Sequence, residues 1–251
     1  MIILLLATVA AAVISNGVAI GSGIFLLPVL SLAFPAKIAL GLGAPIMLAS
    51  NIIGIKNYWG EWGDWRELLG FFMAAVVGIF LGSGLIQYIP NHLFKLGVGI
   101  FAISFALYQL ISNSALWRRL QPGRIMSLRI SDLQDGKILG TLIGFLGGVA
   151  TVVCHAGGAV WSMYFVTRKM DRRRLVSTLL LIFAFTNLLK IIAYWRIGIL
   201  NIRSTLIVMA LFPIIIPSSN LGNYLNKRIQ PELFRTLVVL IILVAGISLL
   251  I

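Results

Sequence analysis

Gly17-Val18-Ala19-Ile20-Gly21-Ser22-Gly23 interrupts one long apolar run, and Cys154-His155-Ala156-Gly157-Gly158 interrupts another. After the first break come Ser50-Asn51, Lys56-Asn57-Tyr58-Trp59 and two further apolar spans. After the second come Thr186-Asn187, Lys190, Tyr194-Trp195 and again two apolar spans. Asn51 and Asn187 lie 136 positions apart, as do Tyr58-Trp59 and Tyr194-Trp195. Residues 14–112 and 148–251 therefore read as one membrane unit written twice. Apolar segments broken at corresponding places in two halves point to a transporter with its site at the repeat interface.

The bulk numbers agree with a membrane-embedded chain. Of 251 residues, 60% are hydrophobic and 11% charged, and the mean hydropathy is +1.03; a soluble domain would carry about 25% charged residues. A net charge of +13 invites a nucleic-acid reading. It is rejected, because the basic residues sit in short loops between apolar runs, where positive-inside topology explains them. The partners expected are a small anion and the lipid bilayer, with a homodimer possible. A single cysteine, Cys154, excludes an internal disulfide, and His and Cys are too few for a clustered metal site. No metal and no cofactor is expected. The opening Met1–Ser15 resembles a signal-peptide core but lacks a basic segment before it and runs straight into the first repeat, so it reads as retained.

The apolar segments predict helices near 1–18, 22–34, 37–55, 68–88, 92–112, 138–153, 157–167, 173–195, 203–224 and 233–251. Six of these approach the ~20 residues that cross a ~30 Å hydrocarbon core. The pairs 1–18/22–34 and 138–153/157–167 do not. Loop charge decides how those pairs run. If each pair is one long crossing, the 20 Lys and Arg divide ten to ten. If each is a hairpin that enters and leaves on one side, 15 of the 20 gather on one face and only Lys37, Lys95, Lys190, Arg196 and Arg203 remain opposite. The positive-inside rule selects the hairpins, with the 15 cytoplasmic. The expected fold is an all-α integral membrane protein. It has two inverted repeats, 1–112 and 138–251, each a Gly-broken hairpin plus three transmembrane helices. A cytoplasmic linker, 113–137, joins them, and both termini lie outside.

The hairpin tips are the first candidates for chemistry. Glycine lets the backbone leave a helix at low steric cost. The freed N–H groups survive in lipid only when buried in protein or lining a wet cavity. The leg beginning at Ser22 or Gly23 would aim a helix N-terminus at the membrane middle, a ready anion site. His155, Ala156, Gly157 and Gly158 form the counterpart from the opposite side, so two facing N-termini would cradle one small anion. The competing reading is helix packing through small residues. Ser50-Asn51 and Thr186-Asn187 lie deep in apolar spans and must find partners, either substrate oxygens or neighbouring helices; Asn16 flanks the first break. His155 is an intramembrane ionisable residue, a functional candidate by default. Cys154 reads as a small apolar filler beside the tip. Lys190 could attract anions, but snorkelling to the interface is the expected behaviour. Trp161, Trp59 and Trp195 read as packing or interface anchors. All seven carboxylates fall in loops or at span ends, so cation substrates and carboxylate proton relays are not expected.

The run Gly17…Gly21-Ser22-Gly23, followed by Ile24-Phe25-Leu26-Leu27-Pro28, and the later Gly148…His155-Ala156-Gly157-Gly158 resemble the TauE/SafE sulfite-exporter family. That family shows a glycine-rich run leading to a proline, repeated in weaker form. The likeness spans essentially the whole chain. The chain departs from it with Ser22 where glycine is usual and Met163 near where a second proline would fall. The resemblance implies a bacterial inner-membrane protein that moves sulfite, sulfonates or related anions, with Gly21, Ser22, Gly23, Gly157 and Gly158 at the anion. Export of an anion from an inside-negative cell runs downhill by about 2.3 kcal/mol per charge and 100 mV. The leading expectation is an exporter; the alternatives are an importer of thiosulfate or a related oxyanion, and a non-transporting scaffold subunit. A membrane enzyme is not expected, since no nucleophile–base set or phosphate loop is present.

Overall fold

The computed structural model describes residues 2–18, 22–56, 58–63, 65–113, 137–167, 170–226 and 231–251, and among these there are eleven helices and no strand. The expected linker 113–137 falls almost wholly outside the described residues. The first break separates α1 (Ile2–Val18) from α2 (Ser22–Ser31), and the second separates α6 (Lys137–Cys154) from α7 (Gly157–Thr167). Neither leg is long enough to cross a bilayer with ease. Between and after them run α3 (Ala36–Lys56), α4 (Trp65–Tyr88), α5 (Asn91–Asn113) and α8 (Arg172–Arg196), each with a stretch long and apolar enough to do so.

One expected span is corrected. Residues 203–224 are two helices, α9 (Ile202–Met209) and α10 (Phe212–Asn226), which meet at a bend of 51°. Pro213 supplies the reason. It has no N–H to continue the ladder, and its ring disfavours α geometry at Phe212 before it. Hydrophobicity alone carried the segment through as one helix. α11 (Pro231–Leu250) ends the chain.

Side-chain bonds fix the two ends of the bundle. At one end the 58–63 segment meets the start of α8: Arg173 donates from Nε and Nη2 to the Glu61 carboxylate at 2.9 and 2.8 Å, Gly63 N–H donates to Thr178 Oγ1 at 3.0 Å, and Ser177 Oγ donates to the Tyr58 carbonyl at 2.9 Å. Asp171 caps α8 there by accepting from Arg174 N–H at 2.8 Å. At the other end Lys37 N–H donates to Asn91 Oδ1 at 3.1 Å, and a Cβ on Gly41 would stand 2.9 Å from Ile199 Cγ2. α3 thus runs from the second end to the first, and α4 runs back.

α6 lies parallel to α4 at the separation only small residues permit. A Cβ on Gly144 would come 2.6 Å from the Phe71 carbonyl oxygen, one on Gly148 would come 2.5 Å from that of Ala75, and Gly78 sits against the carbonyl of Phe145. On the other hairpin, α1 packs on α10, where Gly222 meets the carbonyl of Val13. Outward-facing positions are apolar: Leu69, Met73, Val77, Leu81 and Leu85 form an exposed stripe along α4. A stripe of that size facing water would be an interaction surface; here it is the surface offered to lipid. The interior holds an aromatic cluster of Phe71, Phe72, Trp161, Tyr164 and Phe165 beside α6 and α7. A second cluster ties Ala156 at the break to Ile24 and Phe25 of α2.

Candidate functional site

Among the described residues two helices end on a left-handed residue, and the contrast between them locates the site. α8 closes on Gly198 (φ 74), with Ile199 N–H bonded to the Tyr194 carbonyl and Gly198 N–H to that of Trp195, the Schellman arrangement that glycine accommodates without strain. α6 closes in the same handedness on His155 (φ 56), whose N–H donates to the Thr151 carbonyl at 3.1 Å. Placing a side-chain-bearing residue there costs roughly 1–2 kcal/mol. Strain of this kind persists where the surroundings hold it, and the His155 ring is held at both nitrogens. Nε2 lies 3.2 Å from the Leu40 carbonyl of α3, and Nδ1 lies 2.7 Å from Lys190 Nζ of α8.

Lys190 is fully buried, the only charged residue in the buried interior among the described residues. The expected snorkelling is therefore corrected. Six residues separate it from Arg196, so it sits about 9 Å inside the helix end, and its face of α8 turns inward rather than to the interface. A carbonyl only accepts, so His155 Nε2 carries a hydrogen. The 2.7 Å contact on the other nitrogen then needs one proton between Nδ1 and Nζ. A second proton in that contact would set donor against donor, so the pair carries at most one positive charge.

The surrounding backbone closes tightly on this pair. A Cβ on Gly43 would stand 2.5 Å from His155 Nε2, and one on Gly23 would stand 2.6 Å from the His155 carbonyl oxygen. Gly23 belongs to the first turn of α2, so the starts of α2 and α7 meet at His155. α2 leaves toward the Lys37 end, and α7 leaves toward the Arg173 end. Across the 136-residue offset, His155 corresponds to Ala19 and Lys190 to Gly54. The charge is confined to one half of the duplication.

The other candidates sort by geometry. Phe183, Asn187 and Lys190 share one face of α8 at helical spacing. Phe183 meets Gly158, where an added Cβ would come 3.2 Å from its ring, and Lys190 meets His155. Asn187, between them, faces the α6–α7 break; it is buried, and its Oδ1 has no hydrogen-bond partner among the described residues. Gly157 packs closely on α6: a Cβ there would stand 2.5 Å from the Gly147 carbonyl oxygen and 2.5 Å from Thr151 Cβ. Ala156 uses its N–H on the Ala150 carbonyl at 3.2 Å. Thr186 Oγ1 donates to the Ile182 carbonyl at 2.8 Å and Cys154 Sγ to that of Ala150 at 3.3 Å, so both serve their own helices. Trp161 is buried against Phe71 and Phe183, while Trp59 and Trp195 are exposed. Gly21 lies outside the described residues, as do the side chains of Asn16 and Ser22.

Ser50 and Asn51 are buried farther along α3 than His155, toward the Arg173 end. Ser50 Oγ lies 3.4 Å from Ser219 Oγ of α10. The Pro217-Ser218-Ser219-Asn220 run was passed over in the sequence, although four such residues inside an apolar span are a legible signal. Just beyond this contact a cleft of about 810 Å³ opens between α3 and α10, with Ile52, Ile53, Lys56, Trp59, Ile216 and Asn220 on its walls. Tyr194 was also missed. Its buried hydroxyl donates to the Val152 carbonyl at 2.7 Å, satisfying one of the orphan acceptors in the last turn of α6. Tyr194→Phe is expected to cost about 1–3 kcal/mol of stability, the penalty for an unsatisfied buried carbonyl. Thermal unfolding of purified protein reads this directly, and an unchanged transition would mean the phenol does not brace the break.

The arrangement can hold negative charge: a buried lysine–histidine pair, an asparagine amide fixed by no bond at Oδ1, and the N-terminus of α7, whose first N–H groups have no partner within the helix. The family model described as Sulfite exporter TauE/SafE matches residues 4–249 of the chain. No curated protein and no solved structure matches it.

Proposed function

The chain belongs to the sulfite exporter TauE/SafE family, a family of membrane transporters of sulfur anions, and from that premise we propose that it exports a small sulfur-containing anion across the inner membrane. The anion is held where the starts of α2 and α7 meet, by Lys190, His155 and Asn187, with Gly21, Ser22 and Gly23 closing the site from the first hairpin and Gly158 from the second. The observation that carries this reading is Lys190, buried against His155 in an apolar interior. Burying an ammonium costs about several kcal/mol. A scaffold has no use for such a group, whereas an anion carrier needs it.

The architecture proposed is two inverted repeats, 1–112 and 138–251, joined by 113–137. Its support is the 136-residue offset, the matched pairings of α6 with α4 and α1 with α10, and two hairpins whose second legs leave toward opposite ends. On this reading the basic excess of the sequence segments 56–66, 113–137, 168–174 and 226–235 is cytoplasmic, together with the Glu61–Arg173 end, and both termini lie outside. The cleft beside Lys56 then opens at the cytoplasmic end and leads toward Ser50 and Ser219, an approach route for an exported anion.

Transport is electrogenic and needs no sodium, because an outward-moving anion gains about 2.3 kcal/mol per 100 mV. Reconstituted vesicles loaded with sulfite or a sulfonate test this. Efflux should rise with an imposed inside-negative potential in the absence of any sodium gradient. Efflux that ignores the potential and follows a sodium gradient would overturn the mechanism.

A further inference from the structure

Charge matching at the His155–Lys190 pair bears on which sulfur anions can pass, a question the family leaves open. We propose that the site accepts monoanions, organosulfonates and hydrogen sulfite, and rejects the dianions sulfite, sulfate and thiosulfate. The proposal rests on the transport reading above and deepens it.

The proton count is set by acceptors and donors on every element packed around the pair. On α3 the Leu40 carbonyl fixes the hydrogen on His155 Nε2. On α8 the 2.7 Å Nζ–Nδ1 contact holds one proton between two nitrogens; two would leave donor facing donor. The remaining titratable neighbours are neutral by their bonds. Cys154 of α6 donates its S–H to the Ala150 carbonyl, and Tyr194 of α8 donates its O–H to the Val152 carbonyl. No second charged side chain is buried among the described residues. The interior therefore offers its ligand at most one positive side-chain charge.

Two further observations point to a ligand there. An ammonium has three N–H donors, and among the described residues Lys190 Nζ bonds only to His155. Asn187, one turn earlier on the same face, is buried with its Oδ1 unbonded, so its amide is able to turn its N–H groups toward an oxygen. With Lys190 protonated on binding the anion, its two remaining N–H groups and a neutral amide suit the three oxygens of an R–SO₃⁻ group. A dianion in the same place would keep one negative charge without a partner in a low-dielectric interior, where an unpaired charge is costly.

The test is flux through the full-length protein in liposomes, comparing methanesulfonate with sulfate and thiosulfate. Methanesulfonate should move faster than either dianion by about tenfold or more, as selectivity by differential binding allows. Sulfite provides a second arm. Its flux relative to methanesulfonate should fall as pH rises through the second dissociation of sulfurous acid, because methanesulfonate stays a monoanion and reports any titration of the protein. Lys190→Met should abolish methanesulfonate flux, and Lys190→Arg, which keeps the charge, should restore part of it. Dianions carried as fast as methanesulfonate, or a Lys190→Met protein that conducts like wild type, would overturn the proposal and leave the transporter standing. Movement of none of these anions would remove the transport reading, and the proposal with it.

Discussion

Gly157→Leu is expected to lose the fold. A Cβ at Gly157 would stand 2.5 Å from the Gly147 carbonyl oxygen and equally close to Thr151 Cβ. The first contact is backbone of α6 and the second is a branched carbon one bond from it, so neither can swing aside. Relief requires α7 to separate from α6, which opens the contact between Trp161 and Gly147. Overpacking of this kind costs about 1–3 kcal/mol, more when backbone is the obstacle. Even Gly157→Ala should lower the thermal transition of the purified protein by several degrees, about what 1–3 kcal/mol produces in a chain of this size. Gly158→Ala is the comparison. Its Cβ would come 3.2 Å from the Phe183 ring, a side chain that can shift, and the change should be mild. Equal stabilities for the two alanine variants would show that the hairpin does not close as described.

Gly43→Ala should do the reverse, stopping transport in a protein that stays folded. The new methyl would occupy a point 2.5 Å from His155 Nε2 and 3.2 Å from Cδ2, and its three nearest neighbours are all atoms of this ring. The ring must turn, and in turning it leaves both the Leu40 carbonyl and Lys190. Alanine gains about 1 kcal/mol over glycine in a helix interior, which offsets part of the lost bonding. Lys190, still buried, loses its partner. A misplacement of about 1 Å can cost on the order of a hundredfold in rate, and flux should fall by at least about tenfold. Gly97→Ala on α5, where nothing lies within 4 Å of the added carbon, should leave flux unchanged. Wild-type flux in Gly43→Ala would remove the His155 ring from the mechanism.

The sequence by itself determined where helices begin, break and end, to within three residues at the hairpins and at every crossing but 203–224. α6 and α7 end and start at Cys154 and Gly157, where the glycines stood. Those features are local: apolar run length decides what can lie in a bilayer, and glycine or proline decides where the backbone ladder stops. The span 203–224 differs because it bends by 51° beside Pro213, an interruption of the backbone ladder that the hydrophobicity of the segment conceals. His155 was legible as an intramembrane ionisable group at a break.

What only the tertiary structure decided is which way side chains face and what meets them. α8 is apolar around nearly its whole circumference, so nothing in its pattern says that Lys190 turns inward; a polar stripe would have told a water-facing side from a buried one, and lipid removes that contrast. Gly43 and Gly23 read as unremarkable small residues in apolar runs. They matter because α3 and α2, more than 100 residues away in the chain, converge on the single left-handed histidine. The close packing of Gly157 is of the same kind, since its neighbours across the turn, Gly147 and Thr151, come within reach only when α7 folds back on α6. Helix boundaries follow from chemistry along the chain. The charged centre of this protein follows from distances between helices, and those exist only once the bundle has closed.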